Sequence, residues 1–184
     1  QMIPHMEAPL TISKQDCAET LYLWLSEHLA DKEVRAMAGQ IGFRLKGWIG
    51  MGPKKKLYRK FHSELFSLNM YLIVFTCETA IADPATRNNV LHRFHKLVYG
   101  RNIKLTGISY VKWTEFMKLI YAEYTRSMEE KSLLTPVLLI AQAFELNLFG
   151  KSVLDSYVRF EIGMRIGGMI QQLSKLLQGY VIRN

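Results

Sequence analysis

The sequence predicts an all-α fold, a single-domain bundle of about six to eight helices with one or two central buried helices. Three observations carry this expectation. Apolar residues recur at three- and four-residue spacing through most of the chain. Cap and breaker residues punctuate those stretches at helical lengths, and no stretch alternates apolar and polar residues between turn signals as a half-buried strand would. The 184 residues suit one domain, expected over 10–184 behind a short extended segment at 1–9. Hydrophobic residues make up 49% and charged residues 22%, which excludes a disordered chain and supplies a core that needs no disulfide or metal staple.

Each element has its own signal. Thr11 or Ser13 caps a first helix bearing Leu21, Trp24, Leu25, His28 and Leu29 on one face. Asp31 is expected to cap a second, to about residue 45, weakened by Gly39 and Gly42 at about 1 kcal/mol each relative to Ala. Gly47, Gly50 and Gly52 end that stretch, and Pro53 suits the first turn of the next helix. There Leu57, Phe61, Leu65, Leu68, Leu72 and Phe75 form one stripe, and 70–82 is apolar nearly all round, as a central helix requires. Asp83-Pro84 restarts the chain as N-cap and first helical residue, with Gly100 expected to close the helix after Tyr99.

A polar connector at 101–107 leads to Ser109 and a helix whose apolar face includes Tyr110, Trp113, Met117, Tyr121 and Tyr124. Thr135-Pro136 opens a short buried helix ending near Gly150. Ser152 is expected to begin the last, to about Gln178, braced by Asp155 with Arg159 and Glu161 with Arg165 at i,i+4. Two weakly polar stretches, 65–82 and 133–149, are interrupted by Asn69 and Glu78 and by Pro136, Gln142, Glu145 and Asn147. They read as buried helices and not as membrane spans, which need about 20 mostly apolar residues. Cys17 and Cys77, without a CxxC spacing, suit free thiols in a reducing compartment, a single bridge between them being the alternative. The opening residues carry no charged-then-apolar leader pattern, so the expected location is cytoplasmic.

The formal charge of +8, from 24 basic and 16 acidic residues, favours anionic partners. Seven positive charges concentrate in Arg44, Lys46, Lys54, Lys55, Lys56, Arg59 and Lys60, interleaved with Phe43, Trp48 and Tyr58. Phosphate contacts need such a patch, and exposed aromatic rings can stack on bases. The glycines and lysines of 47–56 do not make a phosphate loop, because no strand precedes them and no Ser or Thr follows the lysines. A helix-turn-helix reading puts Gly47 and Gly50 into the recognition helix, where a rigid element avoids them. Trp48 with Ile49 and Met51 would suit shallow insertion at a lipid surface, but no long basic amphipathic helix supports that.

His92 and His95, at i,i+3, can share a helix face and chelate a cation, but the motif holds no third ligand and no metal is expected. Glu78 and Glu145 sit in apolar contexts. Buried and paired, they would acquire raised pKa values suited to acid–base work; otherwise they accept hydrogen bonds at a helix junction. Trp48, Tyr110, Trp113, Tyr121 and Tyr124 are the candidates for a ligand pocket or interface. Gly163-x-x-x-Gly167-Gly168 permits close helix approach and is expected to pack within the bundle.

Without a catalytic signature, the residues favour a non-catalytic binding or assembly module that self-associates through an aromatic or glycine-lined helix face. The partner is then a second copy or another protein, with no cofactor. The alternatives are a nucleic-acid-binding protein using 44–60, and a small helical enzyme or metalloprotein using buried carboxylates or the His92/His95 pair.

Overall fold

A computed structural model describes residues 9–41, 52–129 and 134–183, with side chains from Lys56 onward in the second stretch. Of the described residues 83% are helical, in an all-α bundle. The chain runs β1 (Leu10–Ser13), α1 (Lys14–His28), α2 (Asp31–Gln40), α3 (Gly52–Ala80) and α4 (Pro84–Val98). After two short turns come α5 (Tyr110–Glu129), α6 (Pro136–Phe149), α7 (Ser156–Gln178) and β2 (Tyr180–Arg183).

α3 is the axis. It touches α1, α4, α5, α6 and α7, and every residue from 67 to 74 is buried, so the apolar all-round pattern does mark the central helix. Phe61, Leu65, Leu68 and Leu72 of the predicted stripe are buried, each contributing about 1.5–3 kcal/mol relative to exposure. Phe61 meets Phe144 of α6 edge-on at 6.4 Å, while Tyr71 stacks on Tyr124 of α5 at 5.0 Å. α6 buries Leu139, Ile140, Ala143, Phe144 and Leu148, and packs along α7, while α1 packs along α4. No helix of the described residues is long and apolar enough to cross a membrane.

The predicted boundaries hold where the cap is local. Ser13 caps α1 in a reciprocal box with Asp16, and Asp83 accepts from the Thr86 N–H ahead of Pro84. They move where tertiary partners intervene. Ala30, not Asp31, is the N-cap of α2; Asp31 lies inside the first turn and pairs with Arg35 at 2.7 Å. Gly100 does not close α4, because the chain continues through a π-helical turn, Tyr99–Ile103, and a 3-10 turn, Lys104–Thr106, before Gly107 turns it at φ +78°. α7 starts at Ser156 and not at Ser152, with Asp155 capping the Val158 N–H.

The expectation of no strand is corrected too. β1 and β2 pair in parallel, Leu10 opposite Tyr180 through Ser13 opposite Arg183, joining the chain's two distant ends. Four residues each are too short to display alternation, and a parallel partner some 170 residues away leaves no turn signal.

Candidate functional site

The junction between α6 and α7 is built around Glu145. Gly150, at φ +74°, ends α6 and turns the chain back, bringing residues 152–154 over the last turn. The fully buried Glu145 carboxylate accepts from the backbone N–H groups of Val153 and Leu154 at 2.5 and 2.6 Å, and from Arg159 Nε at 2.8 Å. Arg159 Nη2 also donates to Ser152 Oγ and to the Leu154 carbonyl. Burial pushes the carboxyl's pKa up. The Arg159 guanidinium and the two N–H groups outweigh it and hold the pKa below the usual carboxylate value. Glu145 thus ties α6 to α7 as a carboxylate that accepts hydrogen bonds at a helix junction. Arg159 is drawn into this clamp and away from Asp155, and Arg165 reaches Glu33 of α2 at 2.6 Å and not Glu161.

The clamp orients α7. Its glycines divide into two sets. A Cβ on Gly163 would lie 2.7 Å from Leu138 Cδ2, so this glycine lets α6 and α7 approach closely, whereas one on Gly167 would lie 3.6 Å from Val137 Cγ1, an ordinary contact. A Cβ on Gly168 would meet nothing within 4 Å. Gly168 belongs instead to the outward face, where Tyr157, Phe160 and Met164 precede it at spacings of three and four. These three side chains are 68, 51 and 59% exposed, and Val153 before the helix is 49% exposed. At 100° per residue, no charged residue falls within this arc between Val153 and Gln171, and Glu161 and Arg165 lie on one flank. The three side chains offer on the order of 300–400 Å² of apolar surface. The exposed apolar residues of α5, Val111, Phe116 and Leu119, share their arc with Lys112, Glu115 and Glu123 and make no such dry stripe.

Of the predicted basic cluster, Arg44, Lys46 and Trp48 lie outside the described residues, as do the side chains of Lys54 and Lys55. Lys56, Arg59 and Lys60 are exposed on α3. Arg59 borders a groove of about 750 Å³ between α1, the start of α3 and the π-helical turn.

The aromatic candidates and the histidine pair converge. Tyr110, Trp113, His95 and Tyr121 form a chain of ring contacts at 6.2, 5.9 and 5.9 Å, and Tyr71 links Tyr121 to Tyr124. Trp113 and Tyr124 are core residues, 4 and 0% exposed, whereas Tyr110, His92 and Tyr121 border a groove of about 400 Å³. His95 Nδ1 lies 2.7 Å from the Leu91 carbonyl, which can only accept, so Nδ1 carries the proton. Nε2 then accepts from the Tyr121 hydroxyl at 2.8 Å. Burial holds the His95 pKa below its usual value. With both ring nitrogens engaged and His92 exposed, the pair does not converge on a cation. Among the described residues no group of three His, Cys, Asp or Glu could hold a metal ion.

Glu78, the other carboxylate candidate, is exposed at the end of α3 and does not meet the condition of burial. Among the described residues the carboxylate with a raised pKa is Glu64, half-buried on α3. Burial and the Glu123 charge push its pKa up, with Lys60 and Asn147 opposing. Sequence periodicity could not single out Glu64, because its basic neighbours read as a solvated helix face. Cys17 and Cys77 are buried free thiols, and burial pushes Cys17 up to about 11, well away from reactivity.

No protein-family model matches this chain, and it matches neither a curated protein nor a solved structure.

Proposed function

We propose that the protein is a non-catalytic helical assembly module that pairs with a second copy of itself through the outer face of α7. The observation that carries this reading is the exposed stripe of Tyr157, Phe160 and Met164 ending at an open Gly168, with Glu161 on its flank holding the Tyr157 hydroxyl.

The face is self-complementary, as a two-fold interface must be. An antiparallel pair with its axis at Met164 sets Met164 against Met164 and the Phe160 ring against Gly168 of the other copy, large against small. Tyr157 then meets Gln171. The same pairing sets the flank of Glu161 and Arg165, which pair with Tyr157 and Glu33 within the chain, beside its counterpart in the other copy and gives the apolar centre a polar rim. The stripe supplies about half of the 800 Å² that each partner buries in a standard interface, and the flanks supply the rest.

Light scattering across a concentration series tests the pairing. A dimer is expected for the native chain and a monomer for Phe160→Asp and Gly168→Leu, with unchanged circular dichroism. A native chain monomeric at about 100 µM, where a specific dimer of micromolar affinity would be formed, overturns the reading. So does an assembly that survives both substitutions.

A further inference from the structure

We infer that the cleft along the outer seam of α1 and α4 binds the phosphate group of a small phosphate monoester, held by Arg93, Lys96 and His92. The site shares no residue with the α7 face, and nothing in it requires the protein to be a dimer. Its basis lies in the sequence of α4. No Asp or Glu occurs from 84 to 114, a stretch that holds six Lys and Arg, so the helix has no acid of its own to pair with. Asn89, His92, Arg93 and Lys96 are exposed and recur at spacings of three and four, which sets them on one side of α4. With Gln15 of α1 and Leu97 they line a cleft of about 440 Å³.

Arg93 is oriented without being neutralised. Its Nε donates to Asn89 Oδ1 at 2.7 Å and its Nη1 to Gln15 Oε1 at 3.2 Å, both neutral amide oxygens. Gln15 is fixed in turn by Glu19, to which its Nε2 donates at 3.3 Å. A carboxylate can only accept, so the amide nitrogen faces Glu19 and the amide oxygen is left for Arg93. Glu19 itself spends its charge on Arg101, at 3.0 and 3.2 Å. Positioning thus uses two of the roughly five N–H groups that a guanidinium carries, and the others stay free for a ligand. Neither Arg93 nor Lys96 has an ion-pair partner among the described residues, and no carboxylate of those residues lines the cleft.

The donor set selects the ligand class. Arg93 and Lys96 bring two permanent charges, the His92 ring carries at least one N–H in either protonation state, and Asn89, its oxygen taken by Arg93, offers its N–H₂. Two cations match the dianion that a phosphate monoester becomes above its second pKa of about 6, and its three terminal oxygens can meet a guanidinium and an ammonium together. A carboxylate brings one charge and two oxygens, and leaves one cation unmatched. The volume exceeds a phosphate group and falls within the roughly 300–1,000 Å³ of small-molecule sites, with Leu97 and the His92 ring as the flank for the organic part.

Isothermal titration calorimetry of the full chain with phenyl phosphate at low salt tests this. One saturable site per chain is expected. Inorganic phosphate should compete more weakly, since it fills only the anionic end, and benzoate should not compete. Arg93→Gln should weaken binding at least about tenfold through the lost charge-assisted bonds, and Lys96→Gln should weaken it less. Lys104→Gln removes an exposed cation outside the cleft and should bind as the native chain does. Phe160→Asp should also bind normally, which separates this site from the pairing of copies. Circular dichroism and thermal melting confirm that each variant is folded. Absence of saturable binding at about 10 mM phenyl phosphate, a ligand concentration above any specific affinity, overturns the inference. So does a loss for Lys104→Gln equal to that for Arg93→Gln, which would make the effect one of net charge. Benzoate or inorganic phosphate competing as well as phenyl phosphate does the same.

Discussion

Replacing Glu145 by Gln is the sharpest test of how α7 is positioned. The carboxylate accepts two backbone N–H groups on one oxygen and Arg159 Nε on the other, at full burial. An amide keeps the shape but turns one acceptor into a donor. Either Arg159 faces an N–H₂ group, or the N–H groups of Val153 and Leu154 do. Stranding one buried donor costs about 1–3 kcal/mol, and breaking a buried ion pair costs about 3–5 kcal/mol. Arg159 retains 21% exposure and can turn toward water. We therefore expect a loss of about 2–4 kcal/mol, a large part of the 5–15 kcal/mol of an ordinary domain.

Urea unfolding measures this loss, the slope with denaturant staying constant. Arg159→Met should cost about as much, and the double variant far less than the sum, since the two residues act as one unit. Hydrogen exchange should rise at 153–158, where the clamp holds the start of α7. The sign with pH also follows. The folded carboxyl is held below its ordinary 4.5, so its contribution is present above that pH and lost as pH falls through the folded value. The native chain and Glu145→Gln should converge in acid. A loss below about 0.5 kcal/mol, typical of an exposed site, or strict additivity with Arg159→Met, would refute the clamp.

Three further predictions follow from packing and titration. Gly163→Ala should change stability by less than about 1 kcal/mol, because the one close neighbour of the new Cβ is the movable Cδ2 end of the half-buried Leu138, whose displacement offsets the gain in helix propensity. In the monomeric Phe160→Asp background, Gly168→Ala should stabilise by up to about 1 kcal/mol; a gain in melting temperature for Gly163→Ala as large as that for Gly168→Ala would contradict the division of faces. Because burial depresses the pKa of His95, the unfolded chain takes up its proton first as pH falls below 6.5. Stability should decline from there, and Tyr121→Phe, measured by thermal melting against pH, should lower stability by about 1 kcal/mol where His95 is neutral. Glu64, whose pKa is raised, contributes stability while protonated and loses it as pH rises through the folded value. Glu64→Gln should therefore raise the melting temperature at neutral pH and change it little at about pH 4; equal shifts at both would remove the buried charge from the explanation.

Sequence alone determined what depends on neighbours along the chain. The buried run in α3, the caps at Ser13 and Asp83 and the turn at Gly150 all follow from periodicity and local sterics, which act over one or two helical turns. The tertiary structure decided every question of partnership. Arg159 chose Glu145 over the Asp155 one turn away, because a buried carboxylate with no other counter-ion binds a guanidinium more strongly than an exposed cap does. Arg165 left Glu161 for Glu33 on another helix, and β1 found β2 at the opposite end of the chain. Gly167 and Gly168 are adjacent and chemically identical, yet one packs on α6 and the other faces outward. The 100° between successive residues separates them only once a neighbouring helix occupies one side.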